Sequence, residues 1–376
     1  MDRYAHKLYK EISLISLIKM DTAILTESGV INTYPVKNQK LAATYLEYIK
    51  LKQQNPGLGY KKLSKLLKEP LHRTRYWHHN NAVPQPILTI DWLKNKGLLS
   101  LGPNNPNSLL ITKVFGALFG DGGIFGNLNG IFLSSSELTA VKEFGEDLKI
   151  LFGEEIEKNS RIIEGGVYGH SWCYQNTNRN IIRFFMALGA PIGDKSLIEM
   201  IVPKWILNAE EYIQDEFFGS LFGAELGVPK VHIEGNRLDL LSFGITAKDE
   251  LGKNRIAFLD TISDYLKNKG IRMCKININD HRKVNRQGDA TKVYRLIIAI
   301  DFENVTNFMT LTKMNYCTYK KQKLANTMNE FSRIKMHKFN DLITRGYSED
   351  AALTLLKLTP ASLEIIENFE DFREIL

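Results

Sequence analysis

Cysteine is scarce in this chain of 376 residues: the three, Cys173, Cys274 and Cys317, lie far apart and make no CxxC pair. Such spacing argues against a disulfide framework or a thiolate zinc site, and a reducing intracellular setting, cytoplasm or nucleoid, is expected. Long apolar runs are missing too. None nears the roughly 20 residues that span a bilayer, so no membrane partner is expected. The start, Met1-Asp-Arg-Tyr-Ala-His-Lys7, lacks the apolar stretch of a secretory signal. Acidic residues are the minority: 49 Lys and Arg against 42 Asp and Glu leave a formal charge of +7, which admits a polyanionic partner.

The chain is 44% hydrophobic, enough for two or three cores of ordinary size. Its charge is unevenly spread. Residues 1–100 carry a net +9, residues 101–337 carry +2 and residues 338–376 carry −4. The N-terminal segment is therefore the electrostatic head, and the C-terminal tail is not expected to lie along phosphates.

From Asn38 to Gln54 the apolar positions Leu41, Tyr45, Tyr48 and Leu51 follow a helical stripe that Asn55-Pro-Gly ends. Next come Leu58–Lys68, a break at Glu69-Pro70, and Leu71–His79, which together have the form of a helix-turn-helix. Residues 1–83 thus read as a basic N-terminal domain in which Arg73, Thr74, Arg75, His78 and His79 could meet phosphates or base edges. The plainer alternative is a small basic helical domain that touches no DNA. Residues 84–108 contain four prolines and read as a linker.

Residues 109–206 and 207–325 then pass through one pattern twice, an apolar helix, two strands, a helix, two strands and a closing helix. The class expected is α+β: two tandem αββαββα repeats with small helical N- and C-terminal extensions. In the first half the strands are Gly123–Phe125, Gly130–Ser134, Glu155–Ile163 and Val167–Asn176. In the second they are Pro229–Glu234, Leu238–Ile245, Ile271–Asn279 and Val293–Asp301. The helices beside them are Ser136–Phe152 and Asn178–Leu188, then Ala247–Lys269 and Glu303–Met314. Residues 326–376 read as a helical tail with a second helix-turn-helix rhythm, but Glu364 and Glu367 on its second helix would repel phosphate.

Each half opens on a similar stretch, Phe115-Gly-Ala-Leu-Phe-Gly-Asp121 and Phe218-Gly-Ser-Leu-Phe-Gly-Ala-Glu225. Small residues four apart share one helix face and let two backbones approach closely. If the helices pack on each other, Asp121 and Glu225 end side by side. Paired carboxylates suit divalent metals, and metals suit phosphodiester hydrolysis. A carboxylate at the negative end of a helix is disfavoured unless a cation compensates, and that cost points to function.

The pattern resembles the LAGLIDADG homing endonuclease family in its single-chain, two-repeat form, over residues from about 109 to 325. Motif one, Val114 to Gly122, puts Gly116 and Gly120 at the helix-packing positions and Asp121 at the metal position. Motif two, Ser220 to Glu225, puts Ser220 and Ala224 at the packing positions and Glu225 at the acid. A rival register packs Gly219 and Gly223 and leaves Ala224 at the acid position. Lys195 to Ile206 looks like the basic connector of many members, and Tyr316 to Lys323 like their basic segment after the last helix.

The resemblance implies a monomer with internal pseudo-symmetry that lays two antiparallel sheets along a DNA major groove. Asp121 and Glu225 would hold Mg²⁺ or Mn²⁺ over the scissile phosphates of double-stranded DNA, with Lys275 or Lys313 as the assisting cation. Base or phosphate contacts would come from Arg161 and Gln175 in the first repeat and from Asn277, Asn279, Arg282, Lys283 and Arg286 in the second. A non-cleaving DNA-binding regulator and an RNA-splicing maturase bound to structured intron RNA are the alternatives. Protein splicing is not expected, because the chain opens on Met1 and closes on Glu374-Ile375-Leu376.

Overall fold

The computed structural model describes residues 25–99, 101, 105–166, 169–232, 237–284, 288–368 and 371–375. In chain order they form α1 (Glu27–Asn32), α2 (Val36–Gln54), α3 (Tyr60–Leu67), α4 (Leu71–His79), α5 (Gln85–Asn95), α6 (Ser108–Phe119), β1 (Gly122–Ile124), β2 (Ile131–Ser135) and α7 (Leu138–Phe152). Next come β3 (Ser160–Gly166), β4 (Gly169–Asn176), α8 (Arg179–Leu188), α9 (Lys204–Leu207), α10 (Glu211–Glu225), β5 (Leu226–Gly227), β6 (Val231–His232), β7 (Arg237–Leu238), β8 (Leu241–Lys248) and α11 (Gly252–Asn268). The remainder is β9 (Asn277–Val284), β10 (Ala290–Ile298), α12 (Phe302–Leu311), α13 (Thr318–Thr344), α14 (Glu349–Leu356) and α15 (Pro360–Asn368). Among these residues no helix is long and apolar enough to cross a membrane. The class is mixed α and β with antiparallel sheets.

The described residues group into two compact units, one reaching to Ser108 and including Thr177–Ala190, the other comprising Leu109–Asn176 and the chain from Pro191 on. The first unit is helical. Trp77 of α4 meets Tyr45 and Tyr48 of α2 with ring centroids 5.3 and 5.4 Å apart. The segment read as a linker is in its first half a helix, α5, whose Ile87, Ile90 and Leu93 are buried. Its prolines do not prevent this: Pro84 is the N-cap and Pro86 lies in the first turn, where no backbone N–H is required. Helix α8, which the sequence pattern assigns to the end of the first half, belongs to this unit. The Thr89 hydroxyl donates to Asn180 Oδ1 at 2.6 Å, and Arg183 donates to the Thr33 carbonyl and stacks 4.3 Å over the Tyr34 ring.

In the second unit each of two four-stranded antiparallel sheets has its strands in the order first, second, fourth, third: β1-β2-β4-β3 and β5-β8-β10-β9. Alternation along a strand separates the faces. Tyr174 of β4 turns inward, its ring 5.7 Å from that of Phe144 on α7, while Arg161 and Gln175, paired across β3 and β4, face away. In the other sheet Tyr294, Leu296 and Ile298 are buried, and Asn277 stands opposite Arg295 on the alternate face.

Three sequence expectations shift here. Residues Glu154–Asn159 form a 3-10 turn rather than a strand, because Gly153 turns the chain at φ 84° and Lys149 gathers Glu154 and Glu157 at 3.0 and 2.8 Å. Of the strand expected over Pro229–Glu234, the described residues keep Val231–His232, paired with β7, while residues 233–234 lie outside the described residues and β5 supplies the first strand of the second sheet. Strand β8 runs on through Ala247 and Lys248, whose pairing with Lys292 and Thr291 holds them extended, and α11 starts only at Gly252.

Candidate metal centre

Helices α6 and α10 run side by side at the heart of the second unit. A Cβ added to Gly116 would lie 2.3 Å from the Phe217 carbonyl oxygen, and one on Gly120 would lie 2.3 Å from Ala224 Cβ. Only the absence of these side chains permits so close an approach. Phe217 closes the seam, its ring 5.9 Å from Phe115 and 5.2 Å from Phe119. Ser220 and Ala224 line one cleft together with Ala117 and Asp121.

The rival glycines serve another neighbour. Gly219 faces Lys313 Cβ and Gly223 faces the Asn315 carbonyl, so this pair seats the 313–315 segment rather than α6. Asn315 N–H donates to Gly219 O at 3.0 Å, and its side chain donates to Glu216 Oε2 at 2.9 Å and Ser220 Oγ at 3.2 Å.

Asp121 follows α6 with an exposed edge, and Glu225, half-buried, ends α10. Burial in the surrounding protein raises both carboxyls. Glu225 is pushed up to about 7, the charge of Asp121 adding to burial while Lys195 and Lys320 oppose it. For Asp121 the two lysines likewise pull against burial.

Each lysine also caps one helix. Lys195 Nζ donates to the carbonyls of Gly120 and Gly122, and Lys320 Nζ donates to those of Gly223, at 3.0 Å, and Ala224. Gly120, Gly223 and Ala224 present orphan carbonyls of a helix C-terminus, while Gly122 opens β1, and the ammonium groups compensate the negative end of each dipole together with its acid. Burial lowers Lys195 to about 8, while Glu225, Asp121 and Asp194 hold it up.

Lys195 is itself held in place. Arg255 of α11, 1% exposed, donates to the carbonyls of Lys195 and, at 2.8 Å, Ile198. Its neighbour Asn254 exchanges hydrogen bonds with the backbone of Met200 at 2.8 and 3.1 Å. On another side Tyr316, which lines the cleft with Asp121, donates to Asp147 Oδ2 at 2.6 Å, and Lys113 of α6 pairs with the same carboxylate at 2.8 Å.

The sequence-derived cations stand elsewhere. Lys313 pairs with Glu216 at 2.6 Å, and Lys275 is exposed and takes no part in the surroundings of either acid. The partners of the acids are Lys195 and Lys320. Both lie in the two basic segments that the family resemblance singles out, which was the available signal. Arg255 and Asn315 carried none.

Of the expected nucleic-acid contacts, Arg161 donates to Gln175 Oε1 at 3.0 and 2.8 Å on the open face of the first sheet. Asn277 is exposed and Asn279 half-buried on the second. The side chains of Arg282 and Lys283, and Arg286 altogether, lie outside the described residues. On α4, Thr74 is fully buried, Arg73 is tied to Glu69, and His78 is half-buried, so of the five residues expected to contact DNA only Arg75 and His79 are exposed. The exposed face of α4 is instead His72, Arg75, Tyr76 and His79.

Among the described residues no three His, Cys, Asp or Glu side chains converge. A cation at the two acids would therefore complete its shell with water and phosphate oxygens. Such an all-oxygen set suits a hard divalent cation.

No family model matches the chain. It is similar to the DNA-directed RNA polymerase subunit Rpo1N of Methanocaldococcus jannaschii, 30% identical over 216 residues that are 54% of this chain and 16% of that protein. It is also similar to the tRNA-splicing ligase RtcB of Pyrococcus abyssi, 27% identical over 240 residues, 62% of this chain and 25% of that protein. The chain thus spans a quarter or less of either relative. Among solved structures it is similar to I-DmoI in complex with DNA and Ca, at 17% identity and a TM-score of 0.35, covering 56% of this chain and 95% of that one.

Proposed function

We propose that this chain is a site-specific double-stranded DNA endonuclease of the homing type, with tandem αββαββα halves and a divalent metal held by Asp121 and Glu225. One observation carries the reading: two acids end two helices that only glycine lets meet, and each helix end is matched by a half-buried lysine. A bound Mg²⁺ or Mn²⁺ would acidify a water molecule and offset charge on the scissile phosphate. Asp121 and Glu225 would hold and orient it. Lys195 and Lys320, fixed by helix-end carbonyls, would add positive charge where the pentacoordinate phosphate becomes more negative. The outward faces of the two sheets, with Arg161, Gln175 and Asn277, would lie along the duplex.

The two relatives support an inserted element rather than the reactions in their names. Each match covers more than half of this chain, so the two share residues of it, yet a polymerase subunit and a ligase have no reaction in common. A segment occurring as a minor part of both reads as something carried into each.

The lysine ammoniums on the helix-end carbonyls also favour a second reading, a non-cleaving DNA-binding regulator whose charge is balanced without metal. Cleavage of the cognate duplex decides. With Mg²⁺ or Mn²⁺ the protein should cut it, and Asp121→Asn should abolish cutting while leaving binding nearly intact. Binding of the cognate site with no cleavage in either metal would overturn the nuclease in favour of the regulator.

A further inference from the structure

Residues 60–79 and 349–368 fold into the same device. Each has an eight-residue helix, a lysine in the left-handed region and a nine-residue helix. Lys68 has φ 52° and ψ 35°, and Lys357 has φ 53° and ψ 44°. In each, the residues six and nine beyond the lysine are buried: Thr74 and Trp77 in one, Leu363 and Ile366 in the other. This anchoring leaves the opposite face of each second helix free.

The two free faces differ in chemistry. On α4 it is His72, Arg75, Tyr76 and His79, with Tyr76 59% exposed, and on α15 it is Ala361, Glu364, Glu367 and Asn368. Exposed Lys61, Lys62, Lys65 and Lys68 flank the first, whereas Glu349 and Asp350 open the second. Between residues 25 and 99 there are twelve lysines and arginines against four carboxylates. The side chains of Tyr60, His72, Arg75, Tyr76 and Asn80 border an open hollow at the same face.

We propose that α4 enters the major groove of duplex DNA, with His72, Arg75, Tyr76 and His79 toward bases and phosphates and the α3 lysines along the flanking backbone. The acidic copy, α14 with α15, stays off nucleic acid. A B-form major groove admits a helix, and its phosphates match this charge. The narrow, deep major groove of A-form RNA does not admit one. The proposal stands apart from the nuclease reading, since it needs neither metal nor cleavage.

The test uses the full chain in EDTA, with fluorescence anisotropy against a mixed-sequence duplex, a single strand and a folded RNA over a range of salt. Arg75→Ala with Tyr76→Ala should weaken duplex binding about tenfold and lower the slope of log K against log salt by about one. Its melting temperature should be unchanged, because both side chains are exposed. Arg75→Lys should keep most of the slope, and Glu364→Gln should leave duplex binding as it was. Unchanged duplex affinity in the double variant overturns the proposal, as does a loss confined to RNA or single strands.

Discussion

Gly120→Ala would bring a methyl group to 2.3 Å from Ala224 Cβ. Non-bonded carbons rest at about 3.5 Å or more, so α6 and α10 would have to part by about 1 Å. Overpacking of this kind costs about 1–3 kcal/mol. The reciprocal change Ala224→Gly removes the obstructing methyl at a cost of about 1 kcal/mol in helix propensity. Combined, the two should largely cancel the clash, giving a favourable coupling of about 1–3 kcal/mol in a double-mutant cycle read by chemical denaturation. If the site is catalytic, cleavage should follow, since about 1 Å of misplacement can cost about a hundredfold. Gly120→Ala should be slow and the double variant substantially restored. Gly223→Ala is the control, because its methyl would meet the Asn315 carbonyl at 1.9 Å and Ala224→Gly cannot relieve that. Additivity of the Gly120 and Ala224 changes within about 0.5 kcal/mol would refute the pairing of these helices.

Arg255→Met would leave the Lys195 and Ile198 carbonyls without their donor, and a loss of about 1–3 kcal/mol in unfolding free energy is expected. Cleavage should fall more than DNA affinity, with partial recovery in Arg255→Lys; equal falls would show a role in folding alone. Lys335, 3% exposed and donating to the Leu356 carbonyl, is lowered by burial, with Lys338 and Lys357 adding to it, to about 8 from its ordinary 10.5. Between those values the unfolded chain binds a proton that the folded chain lacks, so stability should rise with pH across that window and be lost as pH falls through about 8. Lys335→Met should flatten that rise in a pH series of denaturation curves, and an unchanged slope would count against the buried ammonium.

Much of the secondary structure between α6 and α12 was legible in the sequence, because 3.6-residue and two-residue periodicities are local. The two acids were legible as well, each beside small residues four apart. Which small residues meet which neighbour was not. Gly219 and Gly223 match the first motif better letter for letter, yet they seat residues 313–315, nearly a hundred positions away in the chain. The cations escaped for the same reason: nothing in the spacing of Lys195 or Lys320 records that their ammoniums reach the ends of α6 and α10. Likewise a list of donors along α4 named Thr74 and His78, which packing turns inward, and passed over His72, which it turns out.

By itself the sequence determined where most of the helices and strands between α6 and α12 form, that two carboxylates end similar apolar helices, and that the N-terminal segment holds the excess positive charge. Those properties depend on neighbours within a few residues. Tertiary structure alone decided that Gly116 and Gly120 face Phe217 and Ala224, that Lys195 and Lys320 rather than Lys275 and Lys313 face the acids, and that α8 packs with the N-terminal helices. Those pairings are set by shape and desolvation between segments far apart in the chain, and no local period encodes them.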